Sequence, residues 1–247
     1  MDTKYLLMIL LGFCCMALLA FLGYLLNIRK GVDAQVFDML NFSGYNIGCF
    51  ALPYVSGLTG AAAVMALCMF DAGNALGVTG SINAICRSMQ EKGNGLAIKT
   101  ILKQLSRSVL LIVYVVMVVL RLLHVEIPGI IVSFCDLCGA GNSFLAMLMI
   151  GLGMNLAIGR KQWKWIGKAL LVRYGIAIIL ALAFYRFLPF STDVKIGAAL
   201  AVLSPVSSIA PAFTQERGGD YRLASSWNTV SILTSLALMT ATMLLTA

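Results

Sequence analysis

The chain has 247 residues, 60% hydrophobic and 11% charged, with mean hydropathy +0.93 and a formal net charge of +8. Soluble globular domains carry about 25% charged residues, so the composition excludes a soluble domain and describes a polytopic membrane protein. Nucleic acid is excluded as a partner although the charge is positive, because the basic residues gather in short loops between apolar runs, the pattern of the positive-inside rule.

A spanning helix takes about 20 mostly apolar residues. Eight such segments are predicted in chain order: A, about 5–26; B, about 36–57; C, about 61–85; D, about 104–123; E, about 128–157; F, about 165–188; G, about 194–213; and H, about 222–246. Segment A is too long for the core of a signal peptide and lacks a clear small-residue cleavage site, so it reads as a retained helix. Segment E holds Gly139, Gly141, Gly151 and Gly153. It is expected to tilt or bend, and its small residues permit close helix packing.

Segments B and G are apolar yet interrupted. Residues 41–60 carry Gly44, Gly48, Pro53 and Gly57, with Asn46 among them. A lipid-facing anchor has no reason to weaken its own backbone ladder. Proline removes a donor and clashes with the preceding turn, and freed carbonyls in hydrocarbon cost several kcal/mol each unless protein, water or a solute satisfies them. Broken helices at membrane depth therefore line cavities, and in secondary transporters they form the substrate site in pairs. The second member lies at 200–220, where Pro205 and Pro211 flank Ser207 and Ser208. Superposing Pro53 on Pro211 brings Asp71 and Asn228 to nearly the same place, with a gap of one residue.

The loops give the orientation. Arg29, Lys30, Arg87, Lys92, Lys99, Lys103, Arg107, Arg160, Lys161, Lys164, Lys168, Arg217 and Arg222 fall on one side; Lys4, Arg121, Arg186 and Lys195 fall on the other. The first side is expected in the cytoplasm and both termini outside it, in a bacterial plasma membrane. The chain divides into an N-terminal partial repeat (1–86), a cytoplasmic linker (87–103) and a C-terminal five-helix repeat (104–247). Segments B and C then correspond to G and H. The fold class expected is an all-α polytopic membrane protein of about eight helices: a five-plus-five inverted-repeat carrier fold with two crossed broken helices, its first repeat incomplete by two helices.

All seven cysteines (14, 15, 49, 68, 86, 135 and 138) lie in or beside apolar segments. Cys135 and Cys138 have metal-like spacing, but no second pair accompanies them and the one histidine, His124, is on a loop. They read as small buried hydrophobes, and neither a metal site nor a cofactor is expected.

The two interrupted motifs resemble those of the auxin efflux carrier family of membrane transport proteins. That family's fourth helix runs approximately N-T-G-F-L-G-L-P; here Asn46, Gly48, Leu52 and Pro53 match at the same spacing. Its ninth helix runs approximately P-V-A-T-N-A-F, followed by G-G-D and L-A; here Pro205, Val206, Ala210 and Phe213 precede Gly218, Gly219, Asp220, Leu223 and Ala224. The resemblance spans the whole chain. It implies an inverted-repeat fold with two helices crossing at mid-membrane and an alternating-access carrier of small organic anions, such as auxin-like or dicarboxylate compounds. The chain departs from the family in two respects. The first two family helices are absent, so the sequence is either a piece or a reduced scaffold. Ser207, Ser208 and Ile209 stand where the family often shows Thr and Asn, which leaves the substrate open.

The substrate-binding residues expected are Asn46, Gly48, Pro53, Pro205, Ser207, Ser208 and Pro211. Asn46 offers donor and acceptor together, and it is either a substrate contact or a cap for freed backbone; the two are compatible. Ser207 and Ser208 either line the site or bond back to their own helix. Asp71 and Asp136 lie inside apolar segments, where an ionisable residue marks function by default. With Asn74 and Asn142 they are candidates for ion or proton coupling. The alternative is structural: a neutral Asp, or one paired with Arg173 or a neighbouring amide. Asn155 and Asn228 add to the polar lining.

A secondary carrier accounts best for the paired broken helices. A channel lacks a polar ring or repeated filter, and an intramembrane enzyme lacks paired motif aspartates, a His–Glu metal motif or a Ser–His pair, so the chain is not read as an enzyme. The alternative to a carrier is a non-transporting scaffold or receptor derived from one. The partners expected are a small organic anion and the lipid bilayer, with a proton or sodium ion as coupling candidates and a second copy of the chain as a candidate homodimer.

Overall fold

The structure is a computed structural model that describes residues 3–90, 112–113, 116–117, 119–120, 123–153 and 159–246. Segment D falls mostly outside the described residues, as do most of the linker and Asn155.

The helices follow from the apolar runs. Helix α1 (Thr3–Leu26) is apolar all round and ends where Asn27 and the basic pair Arg29 and Lys30 begin. Segment B forms α2 (Val32–Phe42), a π-helical turn (Ile47–Ala51) and α3 (Leu52–Ser56). Segment C forms α4 (Ala61–Ala75), a π-helical stretch (Leu76–Ile82) and α5 (Asn83–Gln90). Helix α6 (Gly129–Gly153) corresponds to segment E and α7 (Arg160–Phe187) to segment F. Segment G forms α8 (Thr192–Leu203) and α9 (Ala210–Glu216), and segment H forms α10 (Tyr221–Thr246).

Among the described residues, four helices are long and apolar enough to cross a membrane: Leu6–Leu26, Ala61–Gln90, Arg160–Phe187 and Tyr221–Thr246. Their outer faces carry exposed Leu10, Phe21, Leu171, Ile179, Leu182 and Leu233. Water would not tolerate that band; a bilayer does. The protein is an all-α membrane protein.

Two features depart from the expected segments. Segment C is not a plain helix, because its π-helical stretch holds Gly77 hard against the end of the Met16 side chain, where a Cβ would overlap it. The stretch intended as a linker also begins helically, since α5 continues through Gln90, beyond residue 86. The cysteines divide as well: Cys15 and Cys86 are buried, but Cys14, Cys135 and Cys138 are exposed, where an apolar thiol suits a lipid-facing surface.

The core is built on α8, whose residues Ala198 to Leu203 are all buried. It packs between α4 and α7, and α4 packs in turn on α1. Small residues set these distances. Gly12 faces the Phe70 carbonyl, Gly73 the Ile9 carbonyl and Gly197 the backbone of Ala63, and a side chain at any of them would meet backbone. Close approach through small residues drives helix association in lipid, where apolar burial contributes little.

The loop ends sort into two groups. At one end, Gln90 donates to Asp33 and to the Arg217 carbonyl, Arg217 donates to Asn83, and Gln162 donates to Asp220. At the opposite end, Leu58, Thr59 and Gly60 line a cleft with Asp193, Met243 and Thr246. Segments B and G therefore run in opposite directions between the two ends.

Candidate functional site

Both interrupted segments break where glycine or proline lies, and the breaks touch. The Ser43 N–H still donates to the Met39 carbonyl at 3.1 Å, closing the last turn of α2. Gly44 then takes φ +81°, a left-handed value open to glycine at no steric cost. A Cβ there would also stand 2.7 Å from Val78 and 3.1 Å from Ser207. In the partner segment, α8 ends at Leu203, and Pro205 leaves no N–H with which to continue the ladder. Tyr45 and Val206 lie side by side as an isolated antiparallel bridge, and the Asn46 N–H donates to the Pro205 carbonyl at 2.8 Å.

Pro53 and Pro211 lie elsewhere. Pro211 occupies the first turn of the resumed helix α9, where a missing N–H costs nothing and the fixed φ suits the helix. Pro53 is the second residue of α3, which follows the π-helical turn Ile47–Ala51 without a gap, so it lies inside the half-helix Ile47–Ser56. Gly44 and Pro205 carry the interruptions.

Breaking two helices inside an apolar core frees backbone groups, and each needs a partner. Asn74, on α4, donates to the Tyr45 carbonyl and accepts from the Tyr45 N–H, both at 2.9 Å. Asn228, on α10, donates to the carbonyls of Ser207 at 3.0 Å and Val206 at 3.4 Å. The Val206 N–H donates to Ser231 Oγ at 2.8 Å, and Ser235 Oγ donates to the Leu203 carbonyl at 2.6 Å. Each break is thus held by an asparagine from the helix that follows it.

Arg173, on α7, completes the set. It is 1% exposed. One guanidinium nitrogen donates to the Phe42 carbonyl and the other to the Gly44 carbonyl, the latter at 2.8 Å. Its Cζ lies 5.1 Å from the centre of the Tyr45 ring, within cation–π range. Among the described residues no carboxylate pairs with it, so carbonyl dipoles and a ring face solvate a full positive charge beside the breaks. Of the structural alternatives for an intramembrane aspartate, pairing with Arg173 is not seen among the described residues, whereas Asp71 does pair with a neighbouring amide, Asn74.

Of the residues expected at the site, Asn46, Gly48, Pro205, Ser207, Asp71 and Asn74 come together. Asn46 is buried and its Nδ2 has no partner among the described residues. Gly48 is exposed, and a Cβ on it would stand 3.4 Å from Asp71 Oδ2. Asp71 is half-buried, and its Oδ1 accepts from Asn74 at 3.0 Å. Ser207 and Ser208 are half-buried at the second break. Asp136 does not join the group; it is exposed on α6. The Asn142 side chain lies outside the described residues.

Three polar residues were missed or undervalued. Arg173 interrupts a run from Ala169 to Ala183 that is otherwise apolar, which marks it as strongly as any aspartate. Asp38 and Asn41 lie on α2, 1% and 0% exposed. Their signal was an acid and an amide inside segment B, obscured because that segment also carries its helix breakers. Among known proteins, no family model matches the chain and no curated protein matches it.

Proposed function

We propose that this protein is a secondary carrier of small organic anions, working by alternating access around the point where the two interrupted segments meet. The observation that carries this reading is Arg173. A buried guanidinium without a carboxylate partner creates positive potential in a low-dielectric interior, and such a charge is costly to keep unless it has a role. Asn46 adds an unpartnered donor at the same place. The N-terminus of the half-helix Ile47–Ser56 adds partial positive charge facing the break. A carboxylate at this break would take the open Asn46 donor and the helix N-terminus, with Arg173 supplying positive potential instead of a direct contact.

In this reading the opposed directions of segments B and G are the remnant of an inverted repeat, as the resemblance to auxin efflux carriers implies. The end bearing Arg29 and Arg217 is cytoplasmic, and both termini lie outside a bacterial plasma membrane. Asp71 and Asn74 connect the substrate site to the backbone of the first break, and transport is coupled to a proton or a sodium ion.

Counterflow in proteoliposomes tests the proposal. Vesicles loaded with an unlabelled auxin-like acid or dicarboxylate are expected to take up the labelled anion in exchange, and Arg173→Met is expected to abolish that exchange. A chain that reconstitutes folded and exchanges no member of a broad organic-anion panel is a scaffold, not a carrier.

A further inference from the structure

Four buried side-chain atoms lack a partner in the described protein: Asp38 Oδ1, Asn41 Oδ1, Tyr45 Oη and Asn46 Nδ2. They divide by chemistry. Asn46 offers a donor and Tyr45 a hydroxyl, both at the first break. The other two are acceptors, three residues apart on α2, which places them on one face of the helix about one turn apart. Buried polar groups are ordinarily satisfied, and leaving one unmade costs about 1–3 kcal/mol. Neither oxygen meets a donor at full hydrogen-bonding geometry among the described residues, and a proton on the carboxyl would supply one.

We propose that Asp38 and Asn41 form a proton-binding site on α2, separate from the substrate site at the break. The proton adds to Asp38 Oδ1 and turns the carboxylate into a carboxylic acid. Its new O–H becomes a donor, and Asn41 Oδ1 is the unfilled acceptor one turn away. No bond other than this O–H forms or breaks, and the proton returns to water when the site opens.

The surroundings suit a carboxyl that changes charge. Asp38 Oδ2 accepts from Asn27 Nδ2 at 2.5 Å, which fixes the carboxyl plane and leaves Oδ1 as the open oxygen. Asn41 Nδ2 is occupied by the Phe37 carbonyl at 2.8 Å and by Thr214 Oγ1, on α9, at 2.9 Å. That fixes the amide with its oxygen unfilled. The charges facing Asp38 are Lys30, from the turn after α1, and Lys168, from α7, and the indole N–H of Trp165 donates toward the same carboxyl. From α1, Gly23 admits the Asp38 backbone so closely that a Cβ would stand 2.7 Å from its carbonyl oxygen. Two lysines argue against a bound metal cation and tolerate an ionised carboxylate once the proton leaves. Asn41 also ties the site to the C-terminal segments, since it bonds α9 directly and its own carbonyl accepts from Trp227 Nε1, on α10, at 2.8 Å. A proton on Asp38 thus acts on α2 where both C-terminal helices grip it.

As a site of coupling, the proposal rests on the carrier reading; as a proton site, it does not. Infrared difference spectra between acid and alkaline buffer, taken on the purified full chain without substrate, read the proton directly. The wild type is expected to show a protonated-carboxyl band at the high-frequency position of a group removed from water. Asp38→Asn should lose that band and Asp71→Asn should keep it. Asn41→Ala should displace it, because the new O–H loses its acceptor, and this variant decides the matter if Asp38→Asn does not fold. A band unchanged in Asp38→Asn, or undisplaced in Asn41→Ala, overturns the site. In proteoliposomes, Asp38→Asn should keep anion exchange and lose accumulation driven by a pH gradient; accumulation equal to wild type overturns the coupling role. Absence of exchange in the wild type would count against the carrier reading and leave the infrared result standing.

Discussion

Asn74 holds Tyr45 by both of its backbone polar groups, donating to the carbonyl and accepting from the N–H, each at 2.9 Å. It does for one residue what a neighbouring strand does in a sheet. The same Nδ2 lies 3.0 Å from Asp71 Oδ1, so the first break and the half-buried carboxylate share one side chain. Asn74 therefore belongs to the architecture of the break before it belongs to any ion pathway.

This makes a prediction about stability. Asn74→Leu preserves volume and suits an apolar helix, yet leaves the Tyr45 N–H and carbonyl buried and unpaired. Each such group costs about 1–3 kcal/mol, so the variant should be clearly less stable than the parent. Thermal unfolding in detergent measures this. A variant as stable as the parent would mean that the break closes without Asn74.

Arg173 gives a prediction in which charge and geometry separate. Arg173→Lys keeps the positive charge but loses the planar fork that reaches two carbonyls at once. It should retain part of the anion affinity while losing stability, because one of the Phe42 and Gly44 carbonyls loses its donor. Arg173→Met removes the charge as well and should lose both. Equilibrium binding of an organic anion, set beside thermal unfolding, separates the two effects. Equal anion affinity in Arg173→Met and the parent would remove the guanidinium from the site.

The sequence carried the outline of this arrangement unevenly. Hydropathy was enough to place α1, α7 and α10, because an apolar run of spanning length has few other uses. The interruptions in segments B and G were legible as helix breakers, but their positions were not. Proline is costly inside a helix and harmless in its first turn, and only the fold shows which of these applies at Pro53 and Pro211. Asn46, Asn74 and Ser207 were legible because polar groups in an apolar run need partners. Which partner each would find was not, since Tyr45 meets Asn74 and Val206 meets Ser231 only through tertiary packing. Asp136 stood out equally in the sequence, yet it faces outward on α6, and composition has no means of telling the two faces of a uniformly apolar helix apart. Arg173 was weighed only as a counter-ion, because carbonyl dipoles able to solvate a cation do not exist until the helix breaks.

Orientation yields a third prediction. Arg29 is exposed at the end that gathers Arg217 and Gln90, and Leu58 is 63% exposed at the opposite end. In the proposed topology the excess of basic loop residues puts the first end in the cytoplasm. On a cysteine-free background, Leu58→Cys should react with an impermeant thiol reagent added outside intact cells, and Arg29→Cys should react only after the cells are opened. The reverse pattern would invert the proposed topology and exchange the faces from which substrate and proton enter.

The last prediction concerns Asn46. Its Nδ2 is buried and unpartnered, while its backbone N–H is already committed to the Pro205 carbonyl at 2.8 Å. A side chain kept only as a cap would spend its amide on freed backbone; this one leaves its donor open at the break. Asn46→Leu should therefore fold at least as stably as the parent, because it deletes a buried donor that has no partner among the described residues. Anion binding should fall, since a hydrogen bond to a charged group is worth about 1.5–3 kcal/mol, roughly tenfold to over a hundredfold in Kd. Gly48→Leu should be more severe. It fills the space in front of Asp71 Oδ2, 3.4 Å from the first added carbon, and so excludes the anion whatever Arg173 offers. Titration calorimetry with the anion that exchanges best in vesicles, paired with unfolding of each variant, measures both halves. Unchanged affinity in Asn46→Leu would show that the open donor meets water rather than substrate, and would move the site toward Ser207 and Ser208 on the opposite break.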